Sequence, residues 1–141
     1  IPGAQALVIG ASLSAAAALA HLACIVLGAP AYRFMGAGER MARAAEAGRA
    51  RPTWVTVAIS GVLLIWAAYA LSAAGVIGRL PLSRVVLPAI CAVYLGRAIA
   101  FPWLKRAFPE NSRTFWWISS GICLVIGLVH LCGVVSVWHT L

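Results

Sequence analysis

An all-α integral membrane protein, folded as a four-transmembrane-helix bundle with both termini outside, is predicted by three features of the sequence. The chain has 141 residues, of which 63% are hydrophobic, more apolar surface than a soluble domain of that size can hide. Four apolar stretches are long enough, at about 1.5 Å per residue, to cross a hydrocarbon core about 30 Å thick. The basic residues gather on the loops that lie to one side of those stretches.

The first stretch, residues 4–28, is alanine-rich, carries His21 and has no basic run ahead of it. It therefore reads as a retained helix rather than a secretory signal. The loop 29–53 holds Arg33, Arg40, Arg43, Arg49 and Arg51, and the pattern from Glu39 to Glu46 has helical character. With Glu39 and Arg43 one turn apart, it predicts a short interfacial helix between Pro30 and Pro52.

The second stretch, 54–77, and the fourth, 115–138, contain no charge, whereas the third, 82–101, carries Arg84 near its start and Arg97 near its end. Irregular backbone cannot face lipid, so all four are expected to be helices of one domain spanning 1–141. The loop 102–114 adds Lys105, Arg106 and Arg113, against Arg79 and Arg84 beside the opposite connection. Eight cations against two place the loops 29–53 and 102–114 in the cytoplasm of a multi-pass cell-membrane protein, of the bacterial inner-membrane kind. Trp54, Trp103, Trp116, Trp117 and Trp138 then fall at the interfaces, where amphipathic rings settle.

A net charge of +8 raises the question of nucleic acid. The cations lie in short loops beside apolar helices rather than on one soluble face, so the expected partners are anionic lipid headgroups and not nucleic acid. A weak internal echo pairs Trp54 before Ile59-Ser60-Gly61 with Trp117 before Ser119-Ser120-Gly121, and Pro30 with Pro102. It is open between duplication of a helical hairpin, in parallel orientation, and chance similarity.

Helices in lipid associate through small residues and a few hydrogen bonds. That rule assigns the inward face of the first helix to Ser14, Ala17, Ala18, His21, Cys24 and Gly28, and that of the fourth to Ser120, Cys123, Gly127, His130 and Gly133. On the third helix, Cys91, Tyr94 and Arg97 share a face. Counting from the loops puts His21 and Tyr94 about 10 Å inside the cytoplasmic boundary and Arg97 about 6 Å. With Tyr32, Arg33 and Glu39 close by in depth, these residues are the expected ligand-binding pocket. Tyr69 and His130 fall at about 22 Å, which predicts a second polar site toward the outer leaflet.

The difference in level speaks against a haem or metal held jointly by His21 and His130, because ligands must converge on one point. No C-x-x-C spacing occurs, and Cys24, Cys91, Cys123 and Cys132 read as packing residues. No metal is expected, and the sequence names no cofactor. Small multidrug transporters rely on an acidic residue within the first helix, and none is present here. The layout is similar to that of the membrane-associated glutathione and eicosanoid enzymes, with four helices, an outside N-terminus and an arginine-rich first loop. Their arginine-histidine-asparagine pattern is missing from Arg40 to Pro52, so the resemblance is one of architecture and assigns no family.

Three function classes follow. The first is binding or transport of a small hydrophobic or amphipathic ligand in the polar pocket. The second is a membrane enzyme on a lipid, quinone or glutathione-like substrate, with His21 or Glu39 as base; three acids in the whole chain leave it few proton carriers. The third is an accessory subunit whose helices bind partner helices. Self-association and a partner membrane subunit are both open.

Overall fold

A computed structural model describes residues 2–141, and among these all regular structure is helical. In chain order the elements are α1 (Gly3–Leu27), α2 (Ala29–Phe34), α3 (Glu39–Glu46), α4 (Arg51–Ala73), α5 (Ser83–Ile99), α6 (Phe101–Ala107) and α7 (Arg113–Val137), closed by a 3-10 turn at Trp138–Thr140. Three helices, α1, α4 and the one running through Arg113–Thr140, are long and apolar enough to cross a membrane. The pair α5 and α6, bent by 68°, makes a fourth such stretch if counted as one.

Local chemistry sets the helix ends and corrects several expected boundaries. α4 begins at Arg51 rather than at residue 54, because Pro52 fits the first turn, where its missing N–H has no partner to lose. It stops at Ala73 rather than at residue 77. Gly75 takes φ +83°, its N–H bonds to the Ser72 carbonyl, and the Val76 N–H reaches back to Leu71, which closes the helix in a left-handed Schellman turn. α7 starts at Arg113 because Ser112 caps it, its hydroxyl accepting from the Phe115 N–H at 3.0 Å.

The expected third helix is interrupted. Pro102 has no N–H to give to the Ala98 carbonyl, and the chain breaks at Ala100 before turning away as α6. The first hairpin repeats the layout: α1 ends at Leu27, Gly28 takes φ +79°, and α2 follows with Pro30 in its first turn. Each long helical pair is thus joined through a short proline-started helix.

α1 packs most extensively on α4 and also on α7, α5 packs on α7, and α4 and α5 meet more sparingly. Around the bundle the order is therefore α1, α4, α5, α7, with every neighbour antiparallel. α7 approaches its neighbours through glycines. A Cβ on Gly133 would stand 2.6 Å from Leu7 Cγ, and one on Gly127 would stand 2.8 Å from Leu95 Cδ2 and 3.2 Å from Tyr94 Cβ. The core so enclosed contains Leu7, Leu87 and Ile90, all fully buried. The outward faces carry Leu19, Val26, Ile65, Val93 and Val125, an apolar exterior compatible with a multi-pass membrane protein.

The two glycine environments give a paired test. Gly133→Ala is expected to destabilise the bundle by about 1–3 kcal/mol, since the added methyl meets a branched carbon rather than a flexible tip. Gly61→Ala, at a position with nothing within 4 Å, is expected to be neutral or slightly stabilising. Thermal unfolding of both variants in detergent checks this, and equal losses at the two positions would refute the close α1–α7 approach.

Candidate ligand site at the α5–α7 seam

The centre of the bundle is polar. Tyr94 on α5 shares a hydrogen bond with Ser14 on α1 at 2.8 Å. Its ring meets Trp66 of α4 edge-on, with centroids 5.4 Å apart, and stacks on His130 of α7 at 5.4 Å and 23°. Every long helix contributes one member to this layer. His130 is fully buried, and its opposite side is closed by Gly10, where a Cβ would stand 2.9 Å from the ring. Its Nδ1 bonds to the Ile126 carbonyl at 2.8 Å. A carbonyl only accepts, so the proton is on Nδ1 and Nε2 is left as an acceptor. Nε2 is buried and has no partner.

About one turn further along α5, Arg97 extends across to α7. Its Nη2 donates to Ser119 Oγ at 2.6 Å, and the guanidinium lies 5.1 Å from the centre of the Trp116 ring, a cation–π arrangement. Trp116 is buried, 3% exposed. Among the described residues, three buried polar atoms here have no partner: Arg97 Nη1, Trp116 Nε1 and Ser120 Oγ. Guanidinium and indole nitrogens only donate. The seam therefore presents donors and a positive charge in search of an acceptor, and leaving such groups unpaired costs about 1–3 kcal/mol each.

Trp116 also lines a groove of about 600 Å³ that opens beside the seam, with Phe101, Lys105, Arg106, Arg113 and Trp117 around it. The three cations come from α6 and from the N-terminal end of α7, where the helix dipole adds positive potential. Phe101 and Trp117 face one another with ring centres 5.1 Å apart. The groove therefore joins an apolar aromatic wall to a cationic rim.

The carboxylates are engaged elsewhere at this end. Glu39 takes both a 3.1 Å bond from Arg33 Nε and a 2.8 Å bond from Arg33 Nη2, with Arg43 3.5 Å away, and Arg33 also pairs with Glu46. The Arg33 guanidinium holds the Glu39 carboxyl below the usual carboxylate range, and its bonds to Glu39 and Glu46 push its own pKa up. Glu110 accepts from the Glu39 N–H at 2.7 Å, at the start of α3. Asn111 donates to the Gly36 carbonyl at 3.1 Å, so the two loops are locked together. Among the described residues, none of Arg97, Lys105, Arg106 and Arg113 pairs with a carboxylate.

The residues singled out from the sequence are thus distributed differently from the expected pocket. Tyr94 and Arg97 do share a face, but Tyr94 joins His130 instead of His21. His21 is half-buried and bonds to the Ala17 carbonyl of its own helix at 2.7 Å. Tyr32 is buried and bonds to Thr56 of α4 at 3.1 Å, while Arg33 and Glu39 pair with each other in the loop layer. Tyr69 donates to the Pro81 carbonyl at 2.8 Å, and no hydrogen bond or ring contact joins it to His130.

The depth count explains the regrouping. A count from the loops sets the predicted ends Phe101 and Phe115 at one level, whereas the break at Ala100 ends α5 early and α7 runs on beyond it, so Tyr94 lies level with Gly127. His21 and Gly10, which touches His130, are eleven residues apart on α1. About 16 Å of helix therefore separates the two histidines. Trp116, expected only at an interface, and Ser119 lie outside the expected pocket; continuing the small-residue stripe of α7 back by one turn from Ser120 reaches Trp116. Among the described residues, no three His, Cys, Asp or Glu side chains converge as a metal site would require.

Comparison with protein-family models, with curated proteins and with solved structures finds no match.

The central layer is open to a double-mutant cycle. Tyr94→Phe and Ser14→Ala are expected to couple by about 0.5–1.5 kcal/mol in unfolding free energy. Additive losses would place the two hydroxyls apart.

Proposed function

We propose that the chain is a four-span inner-membrane protein, with the loops 29–53 and 102–114 in the cytoplasm, that binds or transports a small amphipathic ligand with an acidic head. The observation that carries this reading is Arg97: a partly buried cation over the Trp116 ring, whose Nη1 has no partner among the described residues and which lies beside the unpaired Trp116 Nε1. An arginine within an apolar span marks a function by default, because its retention is costly without one. The apolar walls beside it suit a tail, and the cations of the rim suit a negative head.

Alternating basic and basic-poor connections support the orientation. In a cysteine-free background, a single cysteine placed by Ala47→Cys is expected to resist an impermeant thiol reagent applied to intact cells, while one placed by Gly78→Cys reacts. The reverse pattern would invert the topology.

Native mass spectrometry of the gently solubilised protein tests the site. A discrete bound mass is expected with the wild-type chain and with His21→Ala, and is expected to be lost in Arg97→Ala with the helical circular-dichroism signal unchanged. A ligand retained equally by all three would move the site away from the α5–α7 seam, and a bare wild-type chain would remove the binding reading.

A further inference from the structure

We infer that the groove between α6 and α7 holds the headgroup of a phospholipid carrying two negative charges, with Trp116 in its wall. This inference rests on the membrane-spanning reading above, and adds the chemical class of the occupant.

Charge provides the first argument. Lys105, Arg106 and Arg113 line one groove of about 600 Å³ and none has a carboxylate partner among the described residues. All three acids of the chain are held by α2 and α3, where Glu39 and Glu46 meet Arg33 and Glu110 receives the Glu39 N–H. A single phosphodiester would leave most of the groove's charge unanswered, whereas two phosphate charges match it more closely.

The second argument is the aromatic wall. Trp116 is 3% exposed, lines the groove and leaves Nε1 without an acceptor, while Arg97 lies over its ring. The aromatic pair Phe101 and Trp117 supplies a surface for the glycerol and the first acyl carbons. Both tryptophans sit at the start of α7, where an interfacial ring is at home. A soluble anion would use the cations and leave that apolar wall bare, so the lipid is the better fit.

The test uses the full chain in nanodiscs of phosphatidylcholine doped with either phosphatidylglycerol, with one charge, or cardiolipin, with two, at equal phosphate. Lipids that stay with the protein on release from the disc are counted by native mass spectrometry. Wild type is expected to retain cardiolipin over phosphatidylglycerol by about tenfold or more, at about fivefold per cation engaged. The triple variant Lys105→Gln/Arg106→Gln/Arg113→Gln is expected to lose the preference. Arg40→Gln/Arg49→Gln/Arg51→Gln, which removes the same charge from exposed sites outside the groove, is expected to keep it.

Equal retention of the two lipids by wild type, or a preference that survives the groove variant, would overturn the inference. So would tight binding of inorganic phosphate by the lipid-free protein with no lipid preference, which would reassign the groove to a soluble anion. Failure of the wild-type chain to enter nanodiscs at all would instead remove the membrane reading on which the inference rests.

Discussion

The approach of α7 to α1 and α5 is the contact on which the rest of the bundle depends. Gly133 lets Leu7 against the α7 backbone, Gly127 does the same for Leu95 and Tyr94, and on α1 Gly10 makes room for the His130 ring. Where helices meet through glycines, close backbone approach and dispersion strengthen the association. Once those three glycines set the distances, the level of each polar group follows. Tyr94 meets Ser14 and stacks on His130, and Arg97 reaches Ser119 and Trp116.

A second constraint is the scarcity of acid. With three carboxylates against eleven basic side chains, any pairing at one place leaves cations unanswered at another. The loop layer takes all three acids: Arg33 gathers Glu39 and Glu46 on the α2–α3 side, and Glu110 crosses from the second loop to the start of α3. These exposed pairs contribute little stability. Their effect is on the field, since the groove beside α6 keeps its positive charge. A fold that locks its two loops together thereby also leaves one cationic site next to a partly buried arginine.

The two polar regions of the interior differ in kind. Around His130 the helices fit tightly on both faces of the ring, and the unpaired Nε2 is an acceptor with Gly10 against it; the layer fixes how four helices meet. Around Arg97 the unpaired nitrogens are donors, and an open groove adjoins them. The unpaired donors and the open groove thus lie together in the second region, and the stacked rings that join the helices lie in the first.

Composition and the four apolar stretches by themselves determined an all-helical chain with several helices long enough to span a membrane, because hydrophobic length and backbone hydrogen bonding leave no other solution for such segments. The signal for α3 between two glycines was also legible, as were the inward positions of Ser14, Cys91, Tyr94, Ser120 and His130. Only the tertiary structure decided which of these meet. Levels on antiparallel helices depend on where each helix is broken, and the break at Ala100 moved Tyr94 away from the level of His21 and onto that of His130. Partner choice among charges was equally out of reach of the sequence: Glu39 lies one turn from Arg43, yet the fold brings Arg33 back to it at shorter range. Periodicity records which face a residue occupies, and only packing between helices sets the height at which two faces come into register.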